Sequence, residues 1–363
     1  MFVGWRDLRF AKGRFALMGT VIVLITLLVG LLSGLTAGLG RQNVSAITGL
    51  PADRIAFDVP SAGQSLSYSG TTVTESQWRR WSAVDGVTSA EPLGITTTRA
   101  TSGDRSAGVS VFGVRPGSAL APDGARTRDG SVVLSTGAAD GLGLHSGGTL
   151  TLAGRKLHVT AVAGDASFSH TPVIWTSLDT WRAAAPTAAA APGGPTASVI
   201  ALRTTGGVDT KAADLAAGTR TVTKGDSLSA IGSYTSENGS LQLMRGFLFA
   251  ISALVIGAFF TVWTIQRRGD VAVLKALGAS TASLLRDALG QAVVLLTAGT
   301  LIGTAGAAAV GAALAGTAVP FLVTPTTVVL PAAVIILLGA CGAALAIRRI
   351  TSVDPLTALG SAR

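Results

Sequence analysis

The chain offers few residues that could carry catalytic or metal chemistry. Among its 363 residues are three histidines and one cysteine, Cys341. The histidines lack the short spacings of metal motifs, and one cysteine excludes a cysteine-based zinc or iron–sulfur centre within a single chain. The sequence also lacks the Gly-x-Ser-x-Gly pattern of hydrolases and the glycine-rich loop that cradles nucleotide phosphates. We therefore expect no active site of these kinds and no ATP hydrolysis by this chain alone. The histidines are His145, His158 and His170.

The composition indicates a membrane protein. Hydrophobic residues make up 48% of the chain and charged residues only 13%, whereas soluble domains carry about 25% charged residues. A membrane-spanning helix needs about 20 mostly apolar residues, and residues 288–347 form a charge-free stretch that suits two helices. Pro320 and Pro325 mark an extracellular turn over 320–327, because proline breaks helices. The predicted spans are residues 15–40, 241–265, 288–319 and 328–347.

The distribution of charge predicts the topology. Residues 1–14 carry a net charge of +3, and the 266–287 loop and the 348–363 tail carry +2 each. By the positive-inside rule, both termini and this loop are cytoplasmic. Residues 41–240, with 16 basic and 15 acidic residues, then lie outside. The net charge of +9 therefore reports topology rather than nucleic-acid binding, and the first span is too long for a cleaved signal peptide.

The segment 41–240 is long enough for a folded domain with its own core. Short apolar runs between Gly, Pro, Asp and Ser predict strands, and helical patterns predict helices, one of them with Trp78 and Trp81 on a core-facing side. The predicted fold class is membrane α-helical with four transmembrane helices, plus one mixed α/β extracytoplasmic domain between helices one and two. The predicted strands are 107–114, 131–135, 156–163, 172–176 and 198–203, and the predicted helices are 74–84 and 208–218.

The cytoplasmic segments resemble those of the FtsX/MacB-like permeases of ABC transporters. The sequence RRGDVAVLKALGAS follows helix two at residues 267–280, DPLTALG closes the chain at 354–360, and WRDLRFAKGRF at 5–15 resembles the amphipathic leading helix of the family. The resemblance implies a separate ATPase subunit, which docks on a coupling helix in the 266–287 loop. An amphipathic helix over 270–286 fits such a groove-docking role; the alternative is a passive helix at the membrane interface. The coupling residues so implied are Asp270, Val271, Leu274, Lys275, Leu277 and Gly278.

Within helix three, Gly299 and Gly303 have the GxxxG spacing that permits close helix packing. We expect this pair to serve packing within the chain more than dimerisation.

The segments 33–47 and 231–266 resemble those of the HrtB-like haem-exporter permeases of Gram-positive bacteria. The resemblance implies a homodimer in the plasma membrane, with haem as substrate in a pocket near the outer ends of helices one and two. Haem iron accepts oxygen, sulfur or nitrogen donors, and anionic propionates pair with basic groups. Glu237, Tyr234 and Met244 are therefore candidate iron ligands or stacking groups, and Arg41, Asn43 and Arg245 are candidate propionate contacts. No resident metal or cofactor is expected apart from haem iron at Glu237, and ATP is expected to act through the partner subunit.

Several alternatives stay open at this stage. Glu237 can instead form an ion pair with Arg245 or Arg41, Tyr234 can be an interfacial aromatic, and Met244 can simply pack. The cargo can be an antimicrobial peptide, a lipid or a lipoprotein. The chain can also be an FtsX-like signal transmitter that regulates a cell-wall hydrolase, while a soluble enzyme fits the sequence least.

Overall fold

The chain divides into two compact units in a computed structural model. One unit, Gly40–Asn238, is the predicted outer domain, and the other comprises the residues up to Leu39 and from Gly239 onward. We call the second the membrane unit. The predicted leading helix and the closing segment at 354–360 fall largely or wholly outside the described residues. The described residues are 12–122, 127–185, 196–266, 269, 273–274, 277–314, 316–317 and 319–351.

The elements alternate as the fold class predicts, with long helices at both ends and a mixed region between them. The helices are α1 Lys12–Thr48, α2 Glu75–Ser82, α3 Thr136–Leu142, α4 Leu178–Ala184, α5 Thr210–Ala217, α6 Tyr234–Gln266, α7 Thr281–Leu314 and α8 Pro325–Thr351. The strands are β1 Arg54–Asp58, β2 Val73–Thr74, β3 Val87–Ser102, β4 Arg105–Val114, β5 Ser131–Leu134, β6 Thr149–Leu152, β7 Arg155–Val162, β8 Ser167–Phe168, β9 Thr171–Ser177, β10 Thr196–Ala197, β11 Val199–Thr204 and β12 Thr219–Thr223.

Four helices, α1, α6, α7 and α8, are long and apolar enough to cross a membrane. Hydrocarbon satisfies no backbone polar groups, so apolar segments of this length are stable in it as helices with internal hydrogen bonds. The predicted fold class is confirmed. At 37 and 33 residues, α1 and α6 exceed the predicted spans, and each has a length of roughly 50 Å against a hydrocarbon core of about 30 Å.

Glycines bring helices α1 and α7 into close contact in the membrane unit. A Cβ built on Gly299 would lie 2.8 Å from the Ile22 side chain, and one on Gly303 would lie 2.6 Å from the Val23 carbonyl oxygen. The GxxxG pair of helix three therefore serves packing within the chain, as predicted. Small residues permit this approach because they leave room for the neighbouring backbone.

The connection between α7 and α8 folds back onto α1. The Leu322 N–H donates to the Gly34 carbonyl oxygen at 3.0 Å. The ring of Phe321 occupies the space that a side chain at Gly34 or Gly311 would need. Proline then starts α8 at Pro325, where its missing N–H costs no helical hydrogen bond.

Ten strands of the outer domain form one mixed sheet, nine of them in the order β12-β1-β11-β3-β4-β9-β5-β7-β6, with β8 paired to β9. Strands β2 and β10 form a separate antiparallel pair. The pairs β4–β9 and β5–β7 are parallel, and an additional pairing of β6 with β3 closes six strands into a ring. All five predicted strands are present, as are the two predicted helices, now α2 and α5. The shorter edge elements and the long strand β3 were not predicted.

Two apolar clusters lie on the two faces of this sheet, as β1 illustrates. Ile55 and Phe57 belong to one cluster and Ala56 to the other, because successive strand residues point to opposite faces. The Ala56 cluster includes Trp78 and Trp81, which are buried as predicted. The other cluster includes the last turns of α1.

The prediction of one coupling helix over 270–286 is wrong. Val273 and Leu274 lie in a helical piece, but Leu277 and Gly278 form a turn, and the φ of 93° at Gly278 lies in the left-handed region that favours glycine. The Ala279 N–H donates to the Leu274 carbonyl oxygen at 3.0 Å, which is the closure typical of a helix that ends at a left-handed glycine. The glycine therefore separates this piece from the next helix.

Helix α7 begins at Thr281, seven residues before the predicted start of the third span. Its start is set by Ser280, whose Oγ accepts a hydrogen bond from the Ser283 N–H at 3.2 Å. Serine in this position satisfies one of the free N–H groups at a helix start.

Candidate functional site

A two-residue turn places His170 beside the last turns of α1. Ser169 and His170 connect β8 to β9 with φ values of 49° and 63°. Positive φ at both central residues is the type I′ geometry, whose twist suits a tight hairpin. Non-glycine residues in this region cost about 1 kcal/mol each, so the turn persists only where its surroundings hold it.

Backbone hydrogen bonds anchor the turn to α1. The Ser169 N–H donates to the Asn43 carbonyl oxygen at 3.0 Å, and the His170 N–H donates to the Gln42 carbonyl oxygen at 3.2 Å. Two consecutive amides of the turn thus bond two consecutive carbonyls of the helix. This pairing fixes the backbone from which the His170 side chain projects.

The hairpin is also anchored below the turn. The Ser167 N–H donates to Ser45 Oγ at 2.9 Å, and the Phe168 ring packs edge-on against Tyr68 with 5.6 Å between centroids. Burial raises the pKa of the Tyr68 phenol above its ordinary value, and its hydrogen bond to Ser227 offsets part of that rise. Tyr68 is therefore a protonated core residue rather than an anionic oxygen donor.

Glu237 meets two side chains at this point. His170 Nε2 lies 2.7 Å from Glu237 Oε2, and Asn43 Nδ2 donates to the same oxygen at 2.9 Å. The His170 and Glu237 side chains are 34% and 40% exposed, whereas Asn43 is buried. An imidazole and a carboxylate, both common metal donors, therefore stand side by side on a partly open surface.

These contacts revise the expectations for the charged residues. The titratable side chain that contacts Glu237 is His170, and among the described residues neither Arg41 nor Arg245 forms an ion pair with it. Arg41 instead forms a two-pronged ion pair with Asp165, with Nη2 2.9 Å from Oδ1 and 2.7 Å from Oδ2. One nitrogen of its guanidinium is therefore already engaged by Asp165, and the Asn43 amide N–H is engaged by Glu237.

The ends of the two long helices carry groups that suit their dipoles. Lys224 Nζ donates to the carbonyl oxygens of Thr48 and Leu50 at 3.0 and 2.9 Å, at the end of α1. Glu237 lies in the first turn of α6. A cation at the end of a helix and an anion at its start are both stabilising.

The other candidate ligands lie on α6 with Glu237. Tyr234 opens the helix and packs, half-buried, on the cluster that contains the end of α1. Met244 and Arg245 lie further along α6 in the membrane unit, where Met244 is exposed. Arg245 Nε is buried and has no hydrogen-bond partner among the described residues.

The predicted coupling segment is described in part. Leu274, Leu277 and Gly278 lie in the helical piece and its closing turn, and Leu277 is exposed. Asp270, Val271 and Lys275 lie outside the described residues.

Sequence reasoning missed His170 because the residue lies 67 positions from Glu237. The region around helix two contains no histidine, and only the fold brings one there. The sequence does contain a local signal for the hairpin, since FSHT at residues 168–171 directly precedes the predicted strand 172–176. Even so, no pattern in the sequence indicates which helix the hairpin tip contacts. Within the described residues no three metal-ligating side chains cluster.

The fold and the sequence together define a class and then a family. Four membrane-spanning helices with an α/β domain between the first two define a multi-pass membrane protein of the permease type. The MacB-like periplasmic core domain pattern matches residues 15–219, and the FtsX-like permease C-terminal pattern matches residues 243–355. The chain belongs to the FtsX/MacB family of ABC transporter permeases, whose members act with an ATPase subunit in the plasma membrane.

Relatives match the chain over its full length. A Staphylococcus haemolyticus protein named as the HrtB permease of a hemin transport system is 23% identical over 99% of both chains. A Staphylococcus epidermidis protein with the same name is 22% identical over the same share. An uncharacterized ABC transporter permease of Mycobacterium bovis is 26% identical, again over 99% of both chains.

Among solved structures, the extracellular domain of the noncanonic ABC-type transporter YknZ from Gram-positive bacteria matches 47% of this chain and 99% of its own length. Its TM-score is 0.34 and its sequence identity 14%. The periplasmic region of MacB from Actinobacillus actinomycetemcomitans matches 50% of this chain and 94% of its own length, with a TM-score of 0.34 and 15% identity.

Proposed function

We propose that this chain is the membrane subunit of an ABC exporter that moves haem from the membrane to the outside. A separate ATPase subunit supplies the energy, and this chain itself hydrolyses no ATP. The observation that carries the proposal is the partly exposed Glu237 carboxylate, with an imidazole beside it, at the start of α6. The relatives named for hemin transport support the same cargo.

In this proposal Glu237 ligates the haem iron. A carboxylate oxygen is a hard, anionic donor that suits oxidised iron. Met244 and Tyr234, on the same helix, serve as contacts to the porphyrin rather than as ligands. Arg245, whose Nε has no hydrogen-bond partner among the described residues, pairs with a propionate.

We further propose that two copies of the chain form the exporter. Large apolar side chains recur along one side of α6 at spacings of three and four residues, and most of each is exposed. Gly246 lies among them with no neighbour near its Cβ position. An exposed apolar stripe with a small residue suits a second helix as well as lipid. The stripe comprises Leu243, Phe247, Ile251 and Leu254.

The topology proposal places both termini and the 266–287 loop in the cytoplasm. Its support is the excess of basic residues in these segments. The exposed Leu277, beside the closing Gly278, then belongs to the surface that contacts the ATPase. A short helical piece with apolar residues can occupy a groove in such a partner.

A tolerance assay tests the proposed cargo. Cells without an endogenous haem exporter, which express this chain and its ATPase partner, are expected to grow at hemin concentrations that arrest the empty-vector strain. Glu237→Ala is expected to abolish this tolerance, while Glu75→Ala retains it, because Glu75 forms only a surface ion pair with Arg79. Unchanged hemin sensitivity would contradict haem as the cargo. A gain in peptide tolerance or a morphological change would then favour the other cargoes or the signalling role.

A further inference from the structure

We propose that His170, with Asn43, is a positioning residue that holds one oxygen of Glu237 and leaves the other oxygen for the iron of oxidised haem. The inference rests on the proposed function and specifies how the ligand is held. It also identifies the iron(III) form as the preferred substrate.

The two hydrogen bonds fall on a single carboxylate oxygen. His170 Nε2 and Asn43 Nδ2 both bond Oε2, at 2.7 and 2.9 Å. Among the described residues no hydrogen bond or ion pair reaches Oε1. A carboxylate held in this way presents Oε1 as a monodentate donor in a defined direction, in the way outer-sphere partners orient metal ligands.

The same distances exclude a different role for His170. Metal–oxygen and metal–nitrogen bonds of about 2.0–2.2 Å place donors on opposite faces of a porphyrin about 4 Å apart. Nε2 and Oε2 are 2.7 Å apart, and a porphyrin plane does not fit between them. His170 and Glu237 of one chain therefore do not ligate one haem iron from opposite faces. One ligates and the other supports it.

The burial and anchoring of the residues indicate that Glu237 is the ligand and His170 its support. Asn43 is buried at 2% exposure, and its Oδ1 is buried without a partner among the described residues. The His170 backbone is fixed by the turn anchored on α1, so the imidazole approaches Glu237 from a held position. Glu237 is the most exposed of the three residues' side chains and has an unbonded oxygen. It is therefore the ligand, and His170 is its support.

The charge of the site predicts its substrate. Iron(III) in a porphyrin dianion leaves one positive charge, which the carboxylate neutralises, whereas iron(II) leaves none. A hard, anionic oxygen donor therefore favours the oxidised form. Metal-free protoporphyrin has no iron for Oε1 to coordinate, so its affinity should not depend on how Glu237 is held.

The test uses the full chain in lipid nanodiscs and two substitutions of the same residue. His170→Gln keeps an N–H donor near the Nε2 position, whereas His170→Leu removes it. Neither replacement is glycine, so both meet a similar free-energy cost at the left-handed backbone of residue 170. The two variants therefore form a matched pair. Iron(III) protoporphyrin IX is titrated and followed by its Soret band, and the ferric high-spin signal is followed by electron paramagnetic resonance. Empty nanodiscs and metal-free protoporphyrin IX are the controls.

We expect His170→Leu to weaken iron(III) protoporphyrin binding about tenfold and His170→Gln to remain within about twofold of the wild type, as outer-sphere substitutions do. The leucine variant alone should alter the ferric signal, and neither variant should change binding of the metal-free porphyrin. Equal losses in both variants, or a leucine variant identical to the wild type, would overturn the positioning role. Absence of saturable binding by the wild type would instead overturn the proposed function, so the two failures are distinguishable.

Discussion

The contacts within the membrane unit differ in kind from the contacts within the outer domain. In the membrane unit, glycines let helices approach until backbone lies close to backbone, as Gly303 does against the Val23 carbonyl oxygen. In the outer domain, a closed sheet supports polar side chains that meet at defined distances, as His170, Asn43 and Glu237 do. Helix packing in lipid depends on shape because lipid removes the hydrophobic driving force. Close packing of small residues therefore shapes the membrane unit, whereas the outer domain brings distant polar side chains together at hydrogen-bonding distance.

Gly303→Ala is expected to have the largest effect, because it disrupts the close packing of α1 on α7. A Cβ there would lie 2.6 Å from a backbone oxygen of α1, so the helices must separate. We expect a loss of about 2–3 kcal/mol in the free energy of unfolding, measured by detergent-induced unfolding in mixed micelles.

Gly257→Ala is the matched control for that change. A Cβ at Gly257 meets nothing within 4 Å, and alanine favours the helix by about 0.5–1 kcal/mol. Equal effects of the two substitutions would show that close packing at Gly303 does not hold α1 against α7.

A smaller effect is expected from Lys224→Met at the end of α1. The change removes a cation that bonds the Thr48 and Leu50 carbonyl oxygens, and charge-assisted bonds of this kind contribute about 1–2 kcal/mol. Hydrogen exchange of the last turn of α1 should become faster. Lys211→Met, at an exposed position of α5, should leave that exchange unchanged, and identical behaviour of the two variants would refute the capping role.

The smallest effect is expected from a substitution that stabilises the β8–β9 hairpin of the outer domain. Ser169→Asn should stabilise the hairpin by about 0.5–1 kcal/mol, because asparagine tolerates the left-handed region better than serine. The expected readout is slower hydrogen exchange in β9, with Ser61→Asn at an exposed loop position as the control. Faster exchange in β9 would indicate that the serine side chain itself stabilises the turn.

The sequence predicted most of the architecture and only part of the site. The four spans follow from hydropathy because the need to satisfy backbone groups in lipid leaves helices as the solution. The five predicted strands follow from local apolar runs. Strand β3 escaped prediction because its pattern mixes Thr, Gly and Pro with few apolar residues. The prediction of a continuous coupling helix was wrong because the apolar spacing continues past Gly278, whereas the backbone at Gly278 adopts a left-handed conformation.

The site itself depends on contacts between distant residues. Glu237 was predicted as a candidate ligand because carboxylates are iron donors and its place before a span is visible in the sequence, and that role stays a prediction. Its partners were not, because the bond from His170 requires both the turn at Ser169 and the bonding of that turn to α1. Arg41 was assigned to propionates for its charge, and Asp165, which engages it, is 124 residues away.

The central claim is that Glu237 is the iron ligand of a saturable haem site. The most direct measurement is a titration of the full chain in nanodiscs with iron(III) protoporphyrin IX, followed at the Soret band for the wild type, Glu237→Ala and Glu75→Ala. We predict a shifted band that saturates at about one haem for two chains, with affinity at least about tenfold weaker in Glu237→Ala and unchanged in Glu75→Ala. A Glu237→Ala variant that binds as tightly as the wild type, or a wild-type signal that rises without saturation, would contradict the claim.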